Sequence, residues 1–209
     1  MKNLFNLDAP IVQFAGKMAT LLWMNVLWLF CCLPLLTIGA STTALYRMMF
    51  NLRQDKSCTA KDFFRAFAAN FKQATVHFLI LLLLFAVLYA YYYGICLVTN
   101  QVVQFLLLAA FCAMFLFVGF TAVYVFPLTA YFENSVLRTL RNALILSVTH
   151  YRQTVIVFAL SLLPAIALAV SLYWFLRLGY IWALIAPGLI AYWSSGQLQK
   201  VFDSCAEQP

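Results

Sequence analysis

The chain has 209 residues, 66% of them hydrophobic and only 9% charged, with 13 Lys and Arg against 6 Asp and Glu. Ordinary soluble domains carry roughly a quarter charged residues, so this composition excludes one and points to a polytopic membrane protein. The net charge of +7 is accounted for by anionic headgroups, each nearby Lys or Arg contributing about 1 kcal/mol, and no nucleic-acid partner is needed.

A hydrocarbon core about 30 Å thick takes about 20 apolar residues in a helix. Five such runs occur, at about 18–40, 75–98, 102–130, 154–176 and 178–193. Lipid satisfies no backbone N–H, so each run is expected to be helical, and no ten-residue alternation suggests a barrel. The expected fold is all-α, in a single membrane domain. Lys2 followed by a long apolar stretch, without an Ala-x-Ala site, reads as an uncleaved first span.

Within span one, Asn25 is a polar side chain in need of a partner, either as packing glue or as a ligand contact. Cys31 and Cys32 read first as small, soft packing residues. Pro34 removes an N–H, Thr37 lies close enough to satisfy a freed carbonyl, Gly39 permits unusual backbone angles, and Ser41 is a candidate cap. This is either a bend at the membrane surface or a helix break that binds a substrate.

Next comes a stripe of Leu45, Met48, Met49 and Leu52 flanked by Arg47 and Asn51, and then a Thr59–Asp62 capping-box variant. Phe63, Phe64, Phe67 and Phe71 recur at helical spacing with Arg65 and Lys72 among them. A third amphipathic stretch carries Val136, Leu137, Leu140 and Leu144. All three are expected to lie in the interfacial plane on the cytoplasmic side. The residues Phe63, Phe64, Arg65, Phe67, Phe71 and Lys72 are the candidate partner-docking element, with lipid anchoring as the alternative reading. In span four, Ser161, Ala165 and Ala169 form a ladder of small residues suited to close helix packing.

Placing the N-terminus outside puts ten of the 13 basic residues in the cytoplasm, against three for the reverse, so an external N-terminus and a cytoplasmic C-terminus are expected. LPL at 33–35 and FPL at 126–128 end spans one and three, while FKQ at 71–73 and YRQ at 151–153 open spans two and four. This suggests a parallel repeat of two-span units plus a fifth helix.

His77 and His150 have no His or carboxylate at i+3 or i+4, and no phosphate loop, carboxylate pair or nucleophile set is present. The five span cores contain no Asp or Glu, which counts against proton coupling. The expectation is a protein with no catalytic centre, cofactor or metal, and with no disulfide framework.

The run NVLWLFCCLPLLTIGASTTALY at 25–46, with DFFRAF at 62–67, NFKQ at 70–73 and FPL at 126–128, resembles the YesL-like bacterial membrane proteins, a family of unknown function. Cys32, Ala68 and Ala69 depart from the family's more polar pattern. The resemblance implies a Gram-positive plasma-membrane protein encoded beside carbohydrate ABC importer genes. It implies no established activity; that context, with the surface offered by the amphipathic helices, makes a non-catalytic accessory or scaffold protein of the importer the leading expectation, its permease subunits being the candidate partners. The alternative function is a small solute transporter or channel, which the internal repeat and the prolines in four runs favour.

Overall fold

The computed structural model describes the backbone of residues 10–170 and 172–206, and the side-chain surroundings of residues 12–163 and 185–203. Every regular element among them is helical: α1 (Pro10–Cys31), a 3-10 turn (Leu35–Thr37), α2 (Ile38–Arg53), α3 (Ala60–Cys96), α4 (Gln101–Tyr131), α5 (Val136–Thr149), α6 (Tyr151–Val170) and α7 (Leu172–Ala206).

Among the described residues, Val12–Cys31, Ala60–Cys96 and Gln101–Tyr131 are long and apolar enough to cross a membrane. The bent pair Val136–Thr149 and Tyr151–Leu163, turning through 105°, makes a fourth if counted as one span. Leu79, Leu82, Leu83 and Val87 on α3 and Phe105, Leu106 and Phe117 on α4 are exposed. So large an apolar surface is stable only against lipid, and the chain is a membrane protein.

The boundaries expected from the sequence shift where the chain turns. The first apolar run does not continue to residue 40. The α1 helix ends at Cys31, Pro34 takes extended angles (φ −78°, ψ 122°), and α2 starts at Ile38. The freed carbonyls are met by the Thr37 hydroxyl, which reaches Cys31 O and, at 2.6 Å, Pro34 O. Ser41 is not the cap: it lies inside α2 and donates to Thr37 O at 2.8 Å. Gly39 is helical, and its role is steric. A Cβ there would meet the Ala74 carbonyl oxygen and come within 2.9 Å of Phe78 Cβ, so Gly39 lets α2 pack directly on α3. Near the C-terminus the expected break at Arg177 falls inside α7.

The α2 helix overturns its reading as an interfacial element. It is the centre of the molecule, with Ala40, Ser41, Thr43, Ala44, Leu45, Met48, Met49 and Phe50 all buried, and it packs on α1, α3, α4 and α7. Its end is a Schellman motif: Lys56 N–H donates to Asn51 O at 3.0 Å and Asp55 N–H to Leu52 O at 3.4 Å. Asp55 stands at φ 53° where glycine is usual. The α5 helix follows the lipid-facing logic, burying small Thr139, Ala143 and Ser147 while Leu137, Ile145 and Val148 face outward.

The α1 and α2 helices form an antiparallel hairpin. Trp28 Nε1 donates to Thr42 Oγ1 at 3.3 Å, and Lys17 Nζ lies 2.7 Å from Asp55 Oδ1. Lys17 and the α2–α3 connection, expected on either side of a first span, are thus joined by an ion pair.

The proposed repeat halves also bend at different places. Pro34 separates α1 from α2, whereas Pro127 sits within α4. Residues 71–73 lie inside continuous α3, whereas 151–153 follow the sharp bend at His150. Of the small-residue ladder in the fourth run, Ser161 is exposed and donates to Val157 O, while Ala165 and Ala169 lie outside the described side chains.

Candidate functional site

The α3 helix spans 37 residues, about 55 Å at 1.5 Å per residue, and so exceeds the hydrocarbon core. Its first turns project into the polar end of the molecule. They are secured by the expected box: Asp62 N–H donates to Thr59 Oγ1 at 3.3 Å and Thr59 N–H to Asp62 Oδ2 at 3.2 Å. Asn70, Gln73 and His77 then recur at helical spacing and face the α4–α5 connection. Gln73 Nε2 donates to Asn134 O at 2.7 Å. His77, fully buried, places Nε2 3.3 Å from Val136 O and Nδ1 3.1 Å from Thr129 Oγ1.

Sequence reading missed these partners of His77 because they lie 52 and 59 residues away. Two side chains of α3 thus pin the connection that follows α4. Arg47 of α2 fixes it from the other side, donating from Nη1 to Ala130 O at 2.9 Å, an acceptor in the last turn of α4. Pro127, one turn earlier, lies inside α4 without breaking it.

These contacts frame a cavity of about 960 Å³ between α2, the first half of α3 and residues 129–134. Arg47 and Asn51 come from α2, Lys56 and Ser57 from the connection, Asp62, Arg65, Asn70 and Gln73 from α3, and Glu133 and Asn134 from beyond α4. Cys58, beside it, donates to Met48 O at 3.4 Å. Burial raises the pKa of its thiol, and the Asp62 carboxylate adds to the effect.

The candidate docking residues do not share one face. Phe63 is fully buried in the core and Phe67 packs against that core. Phe64 and Phe71 point outward at 50% and 37% exposure. Arg65 lines the cavity, and Lys72 is exposed. The intramembrane set separates as well. Asn25 is buried where α1 meets Gly188 of α7, and a Cβ on that glycine would come within 3.1 Å of Asn25 Cβ. Pro34, Thr37 and Gly39 together build the hairpin turn.

Residues 21–92 match the family described as a protein of unknown function, DUF624. The matched stretch holds the second half of α1, the hairpin turn, α2 and most of α3, and with them every cavity residue from Arg47 to Gln73. No curated protein and no solved structure matches the chain.

Among the described residues no group of three His, Cys, Asp or Glu side chains is placed to share a metal ion. What the site offers is a water-accessible, charge-lined recess and an exposed aromatic strip, both suited to binding.

Proposed function

We propose that this chain is a non-catalytic accessory or scaffold protein of the bacterial plasma membrane that docks a carbohydrate ABC importer through its cytoplasmic end. The association with an importer rests on the resemblance to YesL-like proteins. The docking surface rests on one observation: Phe64 and Phe71 remain exposed on the outer face of α3 although Phe63 and Phe67 already attach that helix to the core. Buried aromatic and Arg anchors carry about 2 kcal/mol or more each in protein interfaces, and Lys72 stands beside Phe71 to fix register.

The placement of the basic residues supports a cytoplasmic polar end. Lys17, Arg47, Arg53, Lys56 and Arg65 gather at the polar end through the contacts described above, and a basic end faces the cytoplasm. From Lys17 to Cys31 the helix rises about 21 Å at 1.5 Å per residue, less than a bilayer core. In this reading the α1–α2 hairpin enters from the cytoplasm and returns, its tip of Leu33, Leu35 and Leu36 exposed to lipid. The α3, α4, α6 and α7 helices cross, and both the start of α1 and the end of α7 are cytoplasmic.

Co-purification tests the docking. The variants Phe64→Ala and Phe71→Ala are expected to insert normally while losing importer subunits recovered with the wild type. Undiminished recovery with the double variant removes the docking surface. A second reading, a small solute transporter, is favoured by the re-entrant hairpin beside the cavity. Solute flux into liposomes holding only the purified protein would establish it over the first.

A further inference from the structure

We propose that the cavity between α2, α3 and the α4–α5 connection is a binding site for a phosphate ester that carries hydroxyl groups. This inference stands apart from the docking of an importer.

Three cations line the cavity: Arg47, Lys56 and Arg65. Two carboxylates accompany them, and Asp62 accepts from both Thr59 Oγ1 at 2.6 Å and Thr59 N at 3.2 Å through Oδ2. None of the three cations forms an ion pair among the described residues, where the salt bridge is Lys17 to Asp55. The Thr59 donors are neutral and leave the charge of Asp62 in place, so three cations against the two carboxylates of Asp62 and Glu133 give the recess a net charge of +1, which suits an anion. Arg47 is held by Ala130 O through Nη1, so its guanidinium is fixed while Nε and Nη2 remain as donors. A fixed planar fork suits a phosphoryl group. The two oxygens of a carboxylate are coplanar and are saturated by one such fork, whereas the non-bridging oxygens of a phosphate ester point in tetrahedral directions and suit cations placed on different walls of the recess.

The remaining wall is built for hydroxyls. Asn70 uses Nδ2 on Ala66 O at 3.0 Å, which leaves Oδ1 as an acceptor, and Glu133 is a second acceptor on the same cavity. A cavity of about 960 Å³ lies at the upper end of the roughly 300–1,000 Å³ range of small-molecule sites. That is room for a sugar phosphate or for the headgroup of a hydroxylated phospholipid. The site lies at the polar end of the helices, where a soluble ester and a lipid headgroup both have access.

The test uses the full-length protein in a neutral maltoside detergent, with thermal unfolding as the readout. One arm titrates glucose 6-phosphate, with glucose as its control. The other adds phosphatidylglycerol, with phosphatidylcholine as its control. Saturable stabilisation by glucose 6-phosphate but not glucose identifies a soluble ester, and stabilisation by phosphatidylglycerol but not phosphatidylcholine identifies the headgroup. In either case Arg65→Gln and Lys56→Gln, both exposed and outside the core, are expected to weaken the response about tenfold each. Lys200→Gln, exposed on α7 away from the cavity, is expected to leave it unchanged. The proposal is overturned if neither probe stabilises saturably, or if Lys200→Gln weakens the response as much as Arg65→Gln does.

Discussion

The guanidinium of Arg53 sits 4.3 Å from the ring centroid of Tyr192 while its Nε donates to the backbone carbonyl of that same residue at 3.0 Å. Ser195 Oγ accepts a further bond from Nε, also at 3.0 Å. One residue at the end of α2 therefore ties α7 through a π face, a carbonyl and a hydroxyl. Gly196 makes the seat possible, because a Cβ there would fall on the guanidinium.

Removal of this tie by Arg53→Ala is expected to destabilise the protein by about 2 kcal/mol, in the range for hydrogen bonds from a charged group. Arg53→Lys is expected to recover part of that, lacking the planar fork. Gly196→Ala should cost a similar amount by expelling the side chain. The decisive measurement is a double-mutant cycle by thermal unfolding in detergent: in the Arg53→Ala background, Gly196→Ala should be nearly neutral. Additive losses would show that the glycine serves some other contact.

Two further glycines separate steric need from simple helix propensity. Gly39 faces the Ala74 carbonyl oxygen and lies 2.9 Å, by its would-be Cβ, from Phe78 Cβ, whereas a Cβ at Gly16 meets nothing within 4 Å. Gly39→Ala is expected to cost about 1–3 kcal/mol as overpacking. Gly16→Ala is expected to stabilise α1 by about 0.5–1 kcal/mol. Equal effects at the two sites, measured as shifts in unfolding temperature, would contradict the close approach of α2 and α3.

What could be read from the sequence follows the range of the interactions. The Thr59–Asp62 box spans three residues and the apolar runs of α3 and α4 are continuous, so both were legible. Arg53 with Tyr192 and Ser195 joins residues 139 and 142 positions apart, and no local pattern marks such a pair. The α2 helix misled for a physical reason. Its stripe of Leu45, Met48, Met49 and Leu52 looks like the buried half of a surface helix. In a membrane protein, however, small and hydroxyl residues also face protein, so Ser41, Thr43 and Ala44 are buried on the same helix. The four phenylalanines of 63–71 read as one stripe because positions one residue apart blur at that spacing, while the fold sends Phe63 inward and Phe64 outward.

Cys58 gives a chemical check on the cavity rim. Burial, with Asp62 nearby, raises its pKa, and its thiol donates to Met48 O. With the other cysteines replaced, its alkylation at pH 7 should be slower than that of a model peptide thiol, and the rate should keep rising with pH beyond the point where the peptide levels off. The sign follows from a raised pKa, which lowers the thiolate fraction at any given pH below it. A rate equal to the peptide's would mean that the rim is open and the thiol unperturbed.

The Lys17–Asp55 pair yields the prediction that bears on the whole topology. An exposed ion pair contributes little stability, roughly 0–1 kcal/mol, so Lys17→Ala should barely shift the unfolding temperature. The information lies in placement, since a 2.7 Å contact joins the first turns of α1 to the loop after α2. In a Cys-free background, single cysteines at Gln13, Ser57 and Thr99 should be tested in intact cells with an impermeant thiol reagent. Thr99 is preferred to Asn100, whose side chain accepts from Val102 N and Val103 N and caps α4. Positions 13 and 57 should both stay protected until the membrane is opened, and position 99 should react at once. Labelling of 13 and 99 together, with 57 protected, would restore a first helix that crosses the bilayer and would separate Lys17 from Asp55. Labelling of 13 and 57 with 99 protected would keep the hairpin but turn the basic end, the cavity and the Phe64–Phe71 surface to the outside, where no cytoplasmic partner reaches them.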